Sequence, residues 1–348
     1  MASTPIGVAI IGGGIFAQEE HLPAVEKSEL LTLKAIWSRS LKSAQATHDL
    51  ATKSKPDLYS SDSGDDKSFE ALLKRDDIAA VILALPITNQ PKYIEAALTA
   101  GKHVLAEKPI GPDVAAGKKL IEFYKKTAAD KGLNFSVAEN FRFIPSITYA
   151  AEQAAKLGKV EHFSARVLGL MDKDNKYYKT AWRATPEYQG GFLLDGGVHF
   201  AAATRLFLTS ESKPATVSAF TSLAQEHLPP IDSVFGIVKT KSGGVGSYQQ
   251  SAGSHLSAFE WDIGSEGGRV FLSGSKVTVK PVGGEESVKE FEKTSGVSEE
   301  VAAWAEALKS GKPNPLQSPE EALADLEFLE KMFRSGEQDG ALQTYELQ

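Results

Sequence analysis

The sequence predicts an α/β protein: an N-terminal Rossmann dinucleotide-binding domain, then an α+β domain with a large, mostly antiparallel open sheet. Three observations predict it. The first 140 residues alternate apolar strand-like runs with helical stretches, the pattern of a parallel sheet with helices on both faces. The first apolar run leads straight into the glycine turn Gly12-Gly13-Gly14-Ile15-Phe16-Ala17. Beyond about Asn140, strand-like segments follow one another through tight turns with little helix between them. The division is therefore residues 1–140 and 141–348.

In the first domain, Ile6–Ile11 is continuously apolar, as a strand buried on both faces must be. A helix follows the glycines through about Val25. Leu31–Trp37 reads as the second strand and Leu41–Ala51 as a helix. Asp57–Asp66 is polar and reads as a loop; Phe69–Leu73 reads as a short helix. Ile78–Leu85 is the clearest central strand. Gln90–Ala100 is helical and stops at Gly101. His103–Glu107 is a strand, Asp113–Ala129 a helix and Phe135–Ala138 a strand.

In the second domain a helix, Ile147–Leu157, closes at Gly158. The expected strands are Val160–Leu170, Thr216–Leu223, Ser233–Thr240, Gly244–Ser251, Ala258–Ser265, Arg269–Ser273 and Lys276–Pro281. Ser242-Gly243-Gly244 and Glu266-Gly267-Gly268 read as hairpin connections. A helix over His199–Phe207 interrupts the series. Helices Ser298–Lys309 and Pro319–Arg334 end the chain, with Ser318 as a cap.

Composition narrows the chemistry. The 348 residues carry 38 Lys and Arg against 45 Asp and Glu, a net charge of −7, and no basic block. That argues against a nucleic-acid partner. Cysteine is absent, which removes disulfides, thiol nucleophiles and Cys-ligated metals. Met1–Gln18 has no charged side chain, but it lacks a basic start, and glycines interrupt it where an export signal would stay apolar. A cytoplasmic protein without a membrane segment is the expectation.

The glycine turn fits G-x-G-x-x-A in the required place, after a strand and opening a helix. Gly12 permits the tight turn, Gly14 lets a pyrophosphate approach the backbone, and Ala17 lets the helix pack closely. Ile15 and Phe16 then lie at a helix N-terminus that offers free N–H groups to phosphates. The second strand ends Ile36-Trp37-Ser38-Arg39-Ser40-Leu41-Lys42, with no acid to hold a ribose 2′-hydroxyl. Ser38, Arg39 and Lys42 suit a 2′-phosphate instead. NADP(H) is the expected cofactor.

Asp195 and His199 lie four apart, so both share one face of a helix. Read from the residues alone, Asp195 could cap that helix, His199 could be a satisfied core histidine, or the two could share a metal ion. No further ligand cluster accompanies them, so no metal is expected.

Taken together, the glycine turn, Ala106-Glu107-Lys108-Pro109, Asn140-Phe141-Arg142-Phe143-Ile144-Pro145, Trp182-Arg183 and Gly190-Gly191-Phe192-Leu193-Leu194-Asp195-Gly196-Gly197-Val198-His199 resemble the Gfo/Idh/MocA oxidoreductase family over nearly the whole chain. The likeness is greatest to poorly characterised fungal members. The resemblance implies that Lys108, Asp195 and His199 are catalytic. It also implies that the peptide before Pro109 is often cis. By the same resemblance Glu107, Asn140, Trp182 and Arg183 lie by the nicotinamide end of the cofactor, and Leu85, Pro86 and Gln90 lie beside it. Relatives often have Asn after that proline and His three residues later; Ile87 and Gln90 stand here instead. Arg142 is open between a substrate contact and a structural one, and Tyr177 and Tyr178 are alternative acid/base groups. The implied reaction interconverts an alcohol and a carbonyl on a sugar, polyol, aldehyde or ketone. Histidine titrates near neutrality and suits proton transfer, while Lys108 suits charge stabilisation. A homodimer through the C-terminal sheet is implied as well. The rival reading is a non-catalytic NADP(H) sensor of the same fold.

Overall fold

The structure is a computed structural model and describes residues 4–348. The chain divides into two compact units. One comprises the chain up to Asn140 with Gly296–Ala322; the other comprises Phe141–Ser295 with Leu323–Gln348.

The first unit begins with β1 (Ile6–Ile11), α1 (Leu22–Lys27), β2 (Leu31–Ser38), α2 (Leu41–His48) and β3 (Asp57–Ser60). It continues with α3 (Phe69–Leu73), β4 (Ala80–Leu83), α4 (Gln90–Thr99), β5 (His103–Glu107), α5 (Val114–Thr127) and β6 (Phe135–Ala138). Among the described residues the six strands pair in parallel in the order β3-β2-β1-β4-β5-β6. The order reverses at β1, which lies between β2 and β4. In open α/β sheets the crevice beyond the carboxyl ends at such a reversal is where ligands bind.

The polar segment expected to be a loop opens with β3, an edge strand registered on β2 from Ala35 opposite Asp57 to Ser38 opposite Ser60. Edge strands tolerate polar residues. Its backbone ladder, rather than an apolar pattern, makes it a strand.

The second unit contains α6 (Pro145–Lys156), β7 (Val160–Leu170), α7 (Ala181–Ala184) and α8 (Gly191–Phe207). Then follow β8 (Pro214–Ser222), β9 (Ser233–Thr240), β10 (Val245–Ser251), β11 (Gly253–Ser265), β12 (Gly268–Ser273), β13 (Lys276–Pro281) and β14 (Ser287–Glu290). Next comes α9 (Val297–Ser310), which belongs to the first unit. The chain ends with α10 (Pro319–Gly336) and β15 (Gln343–Thr344). Ser318 caps α10, accepting from the Glu321 N–H at 3.2 Å. Among the described residues nine strands run β14-β13-β12-β11-β7-β10-β9-β8-β15, antiparallel except for β7 with β10. Strand β9 alternates strictly, with Val234, Gly236 and Val238 buried and Phe235, Ile237 and Lys239 exposed. One face of the sheet is therefore core, and Trp261 on it donates to Thr204 of α8 at 2.9 Å.

Two sequence expectations are corrected here. Helix α8 starts at Gly191, eight residues before the expected His199. Glycine is a poor helix former, yet α8 runs through Gly196-Gly197, and a Cβ on Gly197 would come within 2.4 Å of the Gln250 amide. The small residue lets α8 lie close on β10, where Gln250 Nε2 donates to the Leu193 carbonyl at 2.7 Å. Asp195 is thus inside the helix and cannot be its cap. The other correction concerns α9, assigned from sequence to the second domain. Its apolar residues Val297, Val301, Trp304 and Ala305 share one stripe and join the core of Val8, Ile10, Leu22 and Leu33. Trp304 is wholly buried and donates to Asn134 Oδ1 at 3.2 Å.

Among the described residues no helix is long and apolar enough to cross a membrane.

Glu26, near the end of α1, ties that helix to the loop after α2. Its carboxylate accepts from the backbone N–H of Thr52, Lys53 and Ser54 and from the hydroxyls of Thr52 (2.8 Å) and Ser54 (2.6 Å). Burial opposes the charge, but the bonds from Ser54, Thr52 and Lys53 together outweigh it and hold the group at about 2. A depressed carboxylate stabilises the fold above its unfolded value, and the contribution fades as pH falls toward 2. After allowance for solvent screening, Glu26→Gln should cost about 1–2 kcal/mol at neutral pH. It should also flatten the wild-type loss of thermal stability between pH 5 and pH 2, as measured by melting curves across that range.

Candidate functional site

On the first unit, the ends of β1, β2, β4 and β5 all lie at the carboxyl edge of one parallel sheet, which gathers most of the expected cofactor residues. Gly12 has φ +124°, and a Cβ there would meet the Ala84 carbonyl oxygen at 2.2 Å. Its N–H donates to the Trp37 carbonyl at 2.8 Å, which ties the turn to β2. The Gly13 carbonyl accepts from Gln18 Nε2 (3.0 Å) and Ser43 Oγ (3.1 Å). Nothing lies within 4 Å of a Cβ built on Gly14. The turn is thus packed tightly on one side and open over Gly14. That shape fits a dinucleotide pyrophosphate, which needs backbone N–H groups with no side chain in the way. Helical backbone starts at Ile15, passes through a π-helical turn at Ala17–His21 and continues as α1. Ala17 is wholly buried, as close helix packing requires.

Ser38 ends β2 and is nearly buried, whereas Arg39 and Lys42 are exposed. Ser40 caps α2, its hydroxyl accepting from the Ser43 N–H at 3.3 Å. One acid here escapes sequence reading. Asp62, from the loop after β3, accepts from the Leu41 N–H at 2.8 Å and the Ser60 hydroxyl at 2.6 Å. The Ser60 bond, then the Leu41 bond, hold its carboxyl below the usual range. Its carboxylate stands at the start of α2, where one oxygen already serves two donors.

Leu85 and Pro86 follow β4 half-buried. Gln90 is 1% exposed, and its Nε2 donates to the Glu107 carbonyl at 3.0 Å. Its amide serves the end of β5 from within. Glu107 accepts at Oε1 from the neighbourhood of His21 Nε2, 2.7 Å away, and His21 is wholly buried. Lys108 is partly exposed, and the Lys108–Pro109 peptide is cis. Asn140, just beyond β6, is nearly buried.

On the second unit, α7 carries Trp182 and Arg183. The Arg183 guanidinium lies 4.0 Å from the Trp182 ring centroid, and its Nε donates to Asp195 Oδ2 at 2.6 Å. Asp195 is 4% exposed. A buried carboxylate needs such a partner, and removing the partner is costly. Tyr188, also nearly buried, has its hydroxyl well above the ordinary phenol range, first by burial and then by the Asp195 charge. Tyr188 and the Arg183–Asp195 pair went unread in the sequence because they join residues whose spacing carries no motif. His199 sits one turn beyond Asp195 and stacks on Phe141, with ring centroids 4.8 Å apart and planes at 16°. Arg142 is buried and donates to Asp325 Oδ1 at 2.8 Å, which decides its open role in favour of structure. Tyr178 packs edge-on against His227 at 5.2 Å, and Tyr177 lies under the Arg183 guanidinium at 5.6 Å.

A glycine turn at the reversal of a parallel sheet, with a lysine at a neighbouring strand end, defines a nicotinamide-dinucleotide-binding protein of Rossmann type. Residues 6–136 match the family described as "Oxidoreductase family, NAD-binding Rossmann fold", and residues 153–344 match "Oxidoreductase family, C-terminal alpha/beta domain". The chain is 41% identical over 345 residues to "Dehydrogenase FPY6" of Fusarium mangiferae, covering 97% of this chain and 98% of that protein. It is 26% identical over 354 residues to "D-xylose 1-dehydrogenase (NADP(+)) 2" of Haloferax volcanii, covering 96% of this chain and 98% of that protein. A crystal structure of an oxidoreductase from Thermotoga maritima superposes with a TM-score of 0.86 at 31% identity, covering 98% of this chain and 99% of that one. The protein belongs to the Gfo/Idh/MocA oxidoreductase family.

The two glycines of the turn separate fold from binding. Gly14→Val should melt within about 2 °C of wild type, since a Cβ there has no protein atom within 4 Å. It should weaken NADPH binding by about tenfold or more, as read by fluorescence titration. Gly12→Val should instead lose stability outright, as its Cβ would meet a backbone oxygen at 2.2 Å.

Proposed function

We propose that the protein is an NADP(H)-dependent oxidoreductase that interconverts an alcohol and a carbonyl on a sugar, polyol or related small molecule. The observation that carries this reading is the position of Lys108 directly after β5, at the same sheet edge where β1 ends in the open glycine turn. The exposed pair Arg39 and Lys42 after β2, with no acid in that strand end, favours the 2′-phosphate. The xylose dehydrogenase relative, whose name includes NADP(+), favours both the cofactor and the sugar class.

When bound, the cofactor supplies or accepts the hydride. Lys108 holds its ammonium toward the reacting oxygen and offsets the negative charge that develops there. His199 takes the hydroxyl proton during oxidation and returns it during reduction. The stack on Phe141 leaves the imidazole restrained, which suits a proton carrier. Asp195, paired with Arg183, orients rather than transfers; its charge is committed to the guanidinium. Ser38, Arg39 and Lys42 hold the adenosine end, Gly12, Gly14, Ile15 and Phe16 the pyrophosphate, and Leu85, Pro86, Asn140, Trp182 and Arg183 the nicotinamide end. Gln90 and Glu107 act from beneath, by shaping the end of β5.

The reading includes a homodimer through the C-terminal sheet. Its support is the row of apolar side chains on the outer face, with Phe220 63% and Ile237 56% exposed. Sedimentation velocity reads the oligomeric state.

The test is a panel of aldoses, polyols, aldehydes and ketones assayed with NADP(H) and NAD(H). Lys108→Ala and His199→Ala should each lower kcat by about a hundredfold or more on the best substrate. Arg39→Ala should lower the NADPH-over-NADH ratio of kcat/KM by about tenfold. Wild-type turnover in either alanine variant refutes the roles. Tight NADPH binding with no turnover across the panel refutes the catalytic reading.

A further inference from the structure

We propose that His21 is a positioning residue for Lys108, acting through Glu107; the proposal rests on the catalytic assignment of Lys108 made above. His21 ends the π-helical turn Ala17–His21, in which the Leu22 N–H reaches back to the Ala17 carbonyl. Such turns are rare interruptions that are frequent at functional sites. The two residues it buries are Ala17 and His21. The His21 ring is wholly enclosed, and its Nε2 lies 2.7 Å from Glu107 Oε1. Its Nδ1 is also buried, with no hydrogen-bond partner among the described residues.

A carboxylate oxygen only accepts, so the ring nitrogen that faces it is the one carrying hydrogen, and Nε2–H donates to Glu107 Oε1. Phe16, in the cofactor turn, packs edge-on against the ring at 5.4 Å and 76° and keeps it in place.

Glu107 is thus held twice. His21 holds its side chain, and Gln90, itself 1% exposed, holds its carbonyl at 3.0 Å. The next residue is Lys108. A lysine has a long flexible stem, so the aim of its ammonium depends on a fixed backbone origin. The imidazole and the amide supply that origin from two buried directions. The arrangement also joins the cofactor turn, through Phe16 and His21, to the strand end that carries Lys108. No proton is moved by the pair in this role.

The experiment compares His21→Leu, His21→Gln and Lys108→Ala in the full-length protein loaded with NADPH. Two readouts are used. The first is reductive methylation of individual lysines by formaldehyde and a borane, resolved by mass spectrometry, which needs no substrate. The second is steady-state turnover on the best member of the panel above. His21→Leu should methylate Lys108 about threefold faster while Lys42 is unchanged, and lower kcat about tenfold with the NADPH KM within twofold. His21→Gln, which restores a donor near the Nε2 position, should recover most of both. A folded His21→Leu variant with wild-type Lys108 reactivity and kcat overturns the proposal. So does a rise in NADPH KM that matches the whole loss, or a failure of Gln to rescue a variant that melts as wild type. Full activity in Lys108→Ala would instead refute the catalytic assignment, and the methylation result would still decide whether His21 positions the lysine.

Discussion

The end of β1 has no room for a side chain. There the chain passes between β2 and β4, with the Gly12 N–H bonded to β2 and its α-carbon against the Ala84 carbonyl. Any residue but glycine would have to push two central strands apart. Because this contact is so close, the following helix begins right at the sheet edge, with the space over Gly14 open. The side chains of Gln18 and Ser43 then fasten the Gly13 carbonyl, so helices on both sides share one anchor. The first unit's other candidate residues, at the ends of β2, β4 and β5, stand at the same sheet edge.

Groups that look like ligand-binding residues divide into those that face outward and those that hold them. Gln90, Glu107 and Asp195 are committed to partners inside the protein: a backbone carbonyl, an imidazole and a guanidinium. Lys108 directly follows Glu107 and His199 lies one turn beyond Asp195, and both are partly exposed. This division follows from the cost of burying charge. A buried carboxylate persists only when paired, and the pairing turns it into a rigid support.

Much of the fold is legible in the sequence because it depends on local patterns. The apolar runs of β1 and β4, the stop of α4 before Gly101 and the glycine turn between strand and helix all signal themselves within a few residues. Strand β3 does not, because an edge strand is made by its ladder to β2 and can be polar. The start of α8 was hidden for a similar reason. Its Gly196-Gly197 pair breaks an isolated helix, but against Gln250 it is what allows close packing. Helix α9 carries a clear apolar stripe, yet nothing in that stripe says which core will receive it.

The sequence by itself determined the dinucleotide turn, the absence of thiol chemistry, the basic strand end after β2 and the short motifs that hold Lys108, Asp195 and His199. These are properties of residue type and near spacing, which a linear chain displays directly. Only the tertiary structure decided that His21 meets Glu107 across 86 positions, that Arg183 neutralises Asp195, that Asp62 stands at the start of α2 and that Arg142 is buried on Asp325. Those partners are distant in the chain, and a pairing between distant polar groups leaves no periodic trace. For His21–Glu107, Arg183–Asp195 and Arg142–Asp325 it exists because folding takes both groups largely out of water, and each must then find the other.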